Sequence, residues 1–232
     1  MDEIVGEAKD DAEPSEPVGG NLKTATVVMF VLTAITLLVA KTFAWVSSSW
    51  LETMGTLTGA ACVLLVVRRS VWNFPIGIVS CTAYLVFFAD GRLFADAGLQ
   101  VVFILLGIHG WISWVRGRAE VTPVRRIPLD ELTVLAAAFP AVWLGLTKLL
   151  EAVGGAAPVY DAFVTTLSLA SQWMLNRRHI ESWLGWIIVD QVSVVLFWSR
   201  DMHLTAGLYF VFLAMCVAGL IEWRRHLDGK QA

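Results

Sequence analysis

What most constrains this chain is a succession of eight apolar runs: Leu22 to Val46, Trp50 to Val67, Val71 to Ala89, Leu93 to Val115, Glu131 to Leu150, Tyr160 to Asn176, Ser182 to Trp198 and Leu204 to Trp223. Each holds 17 to 25 residues, enough at about 1.5 Å per residue to cross a hydrocarbon core about 30 Å thick. Lipid offers no partners for backbone N–H and C=O groups, so a span must be a helix or a strand of a closed barrel. Runs this long and continuous exclude the barrel. The expectation is an all-α membrane protein of eight transmembrane helices. A chain that is 57% hydrophobic and 16% charged lies outside the range of soluble domains.

The net charge of -3 conceals a segregation. Acids crowd the start, at Asp2, Glu3, Glu7, Asp10, Asp11, Glu13 and Glu16, with Pro14 and Pro17 among them. Residues 1–21 therefore read as a disordered cytoplasmic tail, without the basic start and cleavage site of a signal peptide. Lys and Arg gather in the connectors on one side, among them Arg68, Arg69, Arg116, Arg125, Arg177 and Arg178. The other side receives Lys41, Arg92, Lys148 and Arg200 alone. The positive-inside rule makes the richer side cytoplasmic and places both termini there. No nucleic-acid partner is implied. Cys62, Cys81 and Cys216 lie far apart inside apolar runs and read as small core residues, with no disulfide frame, metal site or cofactor expected.

An internal repeat runs through the spans. Arg68-Arg69 precedes Trp72, a two-helix hairpin and a close at Gly110-Trp111, while Arg177-Arg178 precedes Trp183, another hairpin and a close at Glu222-Trp223. The offset drifts from 109 to 112. Two three-helix units, 50–115 and 160–223, are separated by one linker helix within 116–159, and an odd separator makes them parallel. A 3+1+3 plan follows, with an extra N-terminal helix at 22–46 and a short tail at 224–232. Small transporters use this plan and hold substrate between repeats near the midplane.

The expensive residue is Asp190, in the middle of an apolar run. At about 100° per residue, Trp183, Trp186 and Asp190 share a narrow arc of one helix. An ionisable group within a span faces a bundle interior or a wet cavity and marks a functional site by default. For Trp183, one residue inside the start of the span, an interfacial-belt role weighs equally with a site role. Gln172, about 18 Å from the outer end of its helix, and Asp190, about 12 Å from the inner end of the next, reach the same depth. Gln100 lies about 10 Å in from the outer side. Asn73 sits near an inner end, just before Pro75 and Gly77, which can break or kink a helix. Each amide alone could simply bond a neighbouring helix; together they suggest a shared cavity. Indoles suit an aromatic or cationic ring, amides and a carboxylate suit hydroxyls and a carboxamide, and no deep Lys or Arg is present for a phosphate. The serines have no His and Asp at catalytic spacing, so an enzyme is not expected. His109 reads as helix packing in preference to a proton relay.

Trp72-Asn-Phe-Pro-Ile-Gly-Ile78, Leu93-Phe-Ala-Asp-Ala-Gly-Leu-Gln100, Gly110-Trp111, Asp161-Ala-Phe163, Gln172-Trp173, Glu181-Ser-Trp-Leu-Gly-Trp186, Val189-Asp190 and Leu204-Thr-Ala206 together resemble the nicotinamide riboside transporter (PnuC) family, in order from Glu52 to Trp223. The resemblance implies a SWEET-like fold, a homotrimer in the bacterial inner membrane, and facilitated diffusion of nicotinamide riboside for NAD biosynthesis. By position in those motifs, Gln100, Trp183, Trp186 and Asp190 are the candidate ligand contacts, with Asn73 and Gln172 behind them. His109 departs from the family pattern, which usually has an aromatic there. Riboflavin and then thiamine are the alternative cargoes, and a membrane scaffold or receptor that binds without transporting is the alternative class.

Overall fold

The computed structural model describes residues 49–91, 94–116, 124–155, 157–199 and 203–228, with scattered positions between 24 and 39. Among them, seven complete helices follow one another: α1 (Trp50–Val67), α2 (Asn73–Asp90), α3 (Phe94–Arg116), α4 (Leu129–Ala152), α5 (Pro158–Asn176), α6 (Ser182–Ser199) and α7 (His203–Asp228). The acidic tail and the ends of the first apolar run fall outside the described residues, and the positions described between Thr24 and Val39 are helical. Among the described residues the regular structure is all helical, and six of the seven helices are long and apolar enough to cross a membrane. The exception is α5, whose length is sufficient but which carries Asp161, Thr165, Thr166, Ser168, Ser171, Gln172 and Asn176. Its hydroxyls are absorbed locally: Thr166 Oγ1 donates to Ala162 O (2.7 Å) and Ser171 Oγ to Leu167 O (2.7 Å).

Helix starts follow local chemistry. The Ser49 side chain accepts from Glu52 N at 3.0 Å and caps α1. Pro158 opens α5, where its missing N–H costs nothing. The same logic corrects one expectation: Pro75 does not break a helix, because α2 begins only at Asn73 and the proline falls in its first turn. The residues before it are held by a turn in which Asn73 Nδ2 donates to Ser70 O at 2.6 Å. At the other end of the chain, α7 runs past the expected close at Trp223 to Asp228.

The bundle packs as α1 on α2 on α3, and as α5 on α6 on α7, with α1 against α7 and α3 against α5 joining the two sets. The linker helix α4 packs on α5 and leaves Leu132, Val134, Leu144 and Leu149 exposed.

The two arginine pairs end their helices in the same way. Arg69 N donates to Val66 O (2.8 Å) and Ser70 N to Leu65 O (2.9 Å); Arg178 N donates to Leu175 O (2.8 Å) and His179 N to Met174 O (2.9 Å). Arg69 and Arg178 are left-handed, at φ 55° and 60°, the conformation that usually falls to glycine after a helix end. The correspondence keeps a constant offset of 109 into the third helices. Phe74 meets Trp114 edge-on at 5.1 Å and 83°, and Trp183 meets Trp223 edge-on at 5.4 Å and 89°. A Cβ at Gly110 would land on the Phe74 ring and one at Gly219 on the Trp183 ring. Gly110 therefore answers to Gly219 and Trp114 to Trp223, so the drift to 112, which matched Trp111 with Trp223, is corrected.

Candidate functional site

Where the two helix sets face each other they leave a cavity of about 370 Å³. Gln100, Trp183, Trp186, Asp190, Asn73 and Gln172 all stand on its wall, contributed by α2, α3, α5 and α6. They are not equivalent. Trp183 is only 1% exposed and is wedged between Trp223 and the bare backbone of Gly219, with its Nε1 buried and unpartnered. Its burial argues against the interfacial belt. Trp186, one turn deeper, is half-buried and keeps more of its ring open.

Asp190 is 5% exposed, and the Cys216 thiol on α7 donates to its Oδ2 at 3.3 Å. A thiol is a weak donor, so most of the acceptor capacity of this carboxyl group remains unused. Gln172 Nε2 donates to Asn176 Oδ1 at 3.0 Å, and Asn176 Nδ2 donates on to Leu106 O at 2.8 Å, linking α5 to α3. That leaves the Gln172 carbonyl oxygen for the cavity. Gln100 takes no hydrogen-bond partner among the described residues and is half-buried. Asn73 is 2% exposed and spends a donor on Ser70 O, so it serves the α1–α2 turn as well as the wall.

Sequence reasoning missed part of this wall. All three cysteines, taken as plain core residues, line the cavity. Tyr84 and Tyr209 do too, the first bonded to Thr56 Oγ1 at 2.7 Å and the second stacked on Phe197 at 5.2 Å. A hydroxyl or thiol in an apolar run carries no positional signal until the offset is known; at 109, Cys81 falls opposite Asp190 and would have been noticed. His109, by contrast, is exposed on α3 and does not line the cavity. Among the described residues, no group of His, Cys, Asp or Glu could hold a metal ion.

Chemically, the cavity offers an acceptor-rich acid, three amides and aromatic side walls, and its lining includes no Lys, Arg or His. Such a lining fits a ring that bears polar substituents and disfavours a second negative charge.

Residues 49–225 match a protein family described as nicotinamide mononucleotide transporter. Similar curated proteins include the nicotinamide riboside transporter PnuC of Escherichia coli strain K12, 26% identical over 204 residues, with 75% of this chain and 85% of that one covered. The riboflavin/roseoflavin transporter RibM of Streptomyces davaonensis is 26% identical over 182 residues, covering 75% of this chain and 84% of that one. A crystal structure of the vitamin B3 transporter PnuC superimposes with a TM-score of 0.69 at 19% identity, covering 92% of this chain and 99% of that chain. It shares the fold.

Proposed function

Because the chain belongs to the nicotinamide mononucleotide transporter family of membrane carriers, we propose that its cargo is nicotinamide riboside, moved through the bacterial inner membrane by facilitated diffusion with alternating access. The observation that carries this reading is the cavity itself, where a carboxyl group, three amides and two indoles face one space whose lining includes no basic side chain. In this reading Trp186 stacks on the nicotinamide ring, Asp190 meets its positive charge or the ribose hydroxyls, Gln100 and Gln172 bond the carboxamide or sugar, and Trp183 and Asn73 shape the inner wall. The recurrence at 109 residues supports a parallel 3+1+3 arrangement with the cargo between repeats. Both termini are assigned to the cytoplasm by the basic connectors, and a homotrimer is the proposed assembly.

A second cargo, riboflavin, has support from the Streptomyces relative. At about 370 Å³ the cavity lies at the small end of ligand sites, which favours one ring and one sugar over three fused rings.

The test is competition. Nicotinamide riboside and its mononucleotide share ring and sugar, but the phosphate adds up to about two negative charges. Burying these near Asp190 without a cation costs several kcal/mol, so calorimetry on the purified protein should show at least about a hundredfold preference for the riboside. Comparable affinities would mean that Arg69 or Arg178 reaches the ligand and the site lies nearer the arginine turns. Tighter riboflavin than riboside binding would replace the cargo.

A further inference from the structure

We propose that Trp114 and Trp223 are a matched pair of gating residues, which hold the cavity shut at the face of the two arginine turns by bonding each half of the bundle to the other. The proposal takes its purpose from the transport reading above and its geometry from the packing alone.

The two indoles make reciprocal cross-links. Trp114, on α3, donates from Nε1 to Asn176 O in the last turn of α5 at 3.1 Å. Trp223, on α7, donates from Nε1 to Val66 O in the last turn of α1 at 3.2 Å. Each bond therefore leaves the third helix of one set and ends on the first helix of the other. Carbonyls in a final helical turn have acceptor capacity that the helix does not use; Val66 O already accepts from Arg69 N and takes the Trp223 indole on its second lone pair. If the two sets separate at this face, both bonds must break.

The same indoles also back the cavity wall. Trp114 packs edge-on against Phe74 and Trp223 against Trp183, and Phe74 and Trp183 line the cavity. Gly110 and Gly219 supply the space that seats these rings, because a Cβ at either would strike them. On the side of the turns, the Arg178 guanidinium lies 4.4 Å from the Trp114 ring centroid and covers it. Cavity ring, indole and opposite-half carbonyl thus form one chain of contacts, present twice. A ligand that moves Phe74 or Trp183 acts directly on the bond behind it, which ties occupancy of the cavity to release of the gate.

The cavity carries its own reporters, the thiols of Cys62, Cys81 and Cys216. The full chain, reconstituted in liposomes of defined orientation without substrate, is treated from one face or the other with a charged methanethiosulfonate reagent. Trp114→Phe and Trp223→Phe keep an aromatic ring and remove the N–H, together with the part of the packing that the larger indole supplies. Each should raise thiol labelling from the arginine-turn face about two- to tenfold, and the double variant should multiply the two effects. Labelling from the opposite face should not rise. A purely structural loss would loosen both faces alike, so equal increases overturn the proposal, as does unchanged labelling in the double variant. Should the Phe variants fail to fold, Gly219→Ala pushes the backing Trp183 ring away with Trp223 intact and should give the same one-sided rise; at Gly110 a methyl would strike Asn176, whose carbonyl is the acceptor, as well as Phe74. Substrate uptake is not scored here, so failure of the gate and failure of the riboside assignment remain distinguishable.

Discussion

The set α1 to α3 and the set α5 to α7 share the same turns, the same left-handed arginines and the same edge-on aromatic pairs, yet they differ where they face the cavity. At the common offset of 109, Cys81 stands where the second set has Asp190, Val63 where it has Gln172, and Phe74 where it has Trp183. The frame has been kept alike and the lining has not. On the alternating-access reading proposed above, alike turns and cross-links suit two halves that come apart and rejoin along one interface. An unlike lining suits a ligand whose ring and sugar are themselves unlike.

Copying residues from the first set into the second, or deleting them, breaks that comparison in graded steps. Trp183→Ala should have the largest effect, about 3–5 kcal/mol of stability, because it empties a site buried between Trp223 and Gly219. A thermal melt measures it. Trp186→Ala, at a half-buried ring, should leave the melt nearly unchanged and weaken riboside binding by about threefold to tenfold; the reverse pattern would exchange the roles of the two indoles. Asp190→Cys makes the two walls alike and should cost about tenfold to hundredfold in affinity, the range for hydrogen bonds to a charged group. Calorimetry decides it, and unchanged affinity would make Asp190 structural.

Gln172→Val, which copies Val63, should cost about fivefold in affinity, and it also frees Asn176 Oδ1. The smallest effect concerns the one histidine that replaces Ser70 in the repeated turn. His179 has a side chain with 0% exposure, and neither ring nitrogen has a hydrogen-bond partner, though Nε2 lies 3.8 Å from Glu131 Oε2. Burial, then the charge of Arg125, holds its pKa below the ordinary 6.5, against Glu131 and Glu181 and with a further contribution from Arg177. The unfolded chain then binds the proton more readily than the folded one. The stability contributed is complete above pH about 6.5 and declines as the pH falls. Melting temperature should decrease slightly from pH 7.5 to 5.5, and His179→Gln should flatten that slope.

The helical order and the six candidate residues could be read from the chain because their signals are local: run length, a carboxylate in an apolar stretch, a pair of arginines. The register of the repeat could not, since Gly110-Trp111 and Glu222-Trp223 look alike as dipeptides. What identifies the true partners is that Gly110 and Trp114, like Gly219 and Trp223, touch the same ring from adjacent turns. The cysteines were passed over for a similar reason, as Cys216 acquires its meaning from Asp190, a residue on another helix.

The polarity of α5 bears on how the protein is made. Its hydroxyls and amides suit a wall between α3, α4 and α6 but give it little reason to leave the translocon for lipid alone, where polar side chains at mid-helix are penalised. The helices that precede and follow it, α4 and α6, are both apolar enough to span and both pack against it. The expectation is that α5 enters the bilayer only together with its neighbours. A glycosylation reporter fused after Asn176 should show incomplete membrane integration, and one fused after Ser199, with α6 in place, should show it complete; full integration at the first fusion would make α5 self-sufficient.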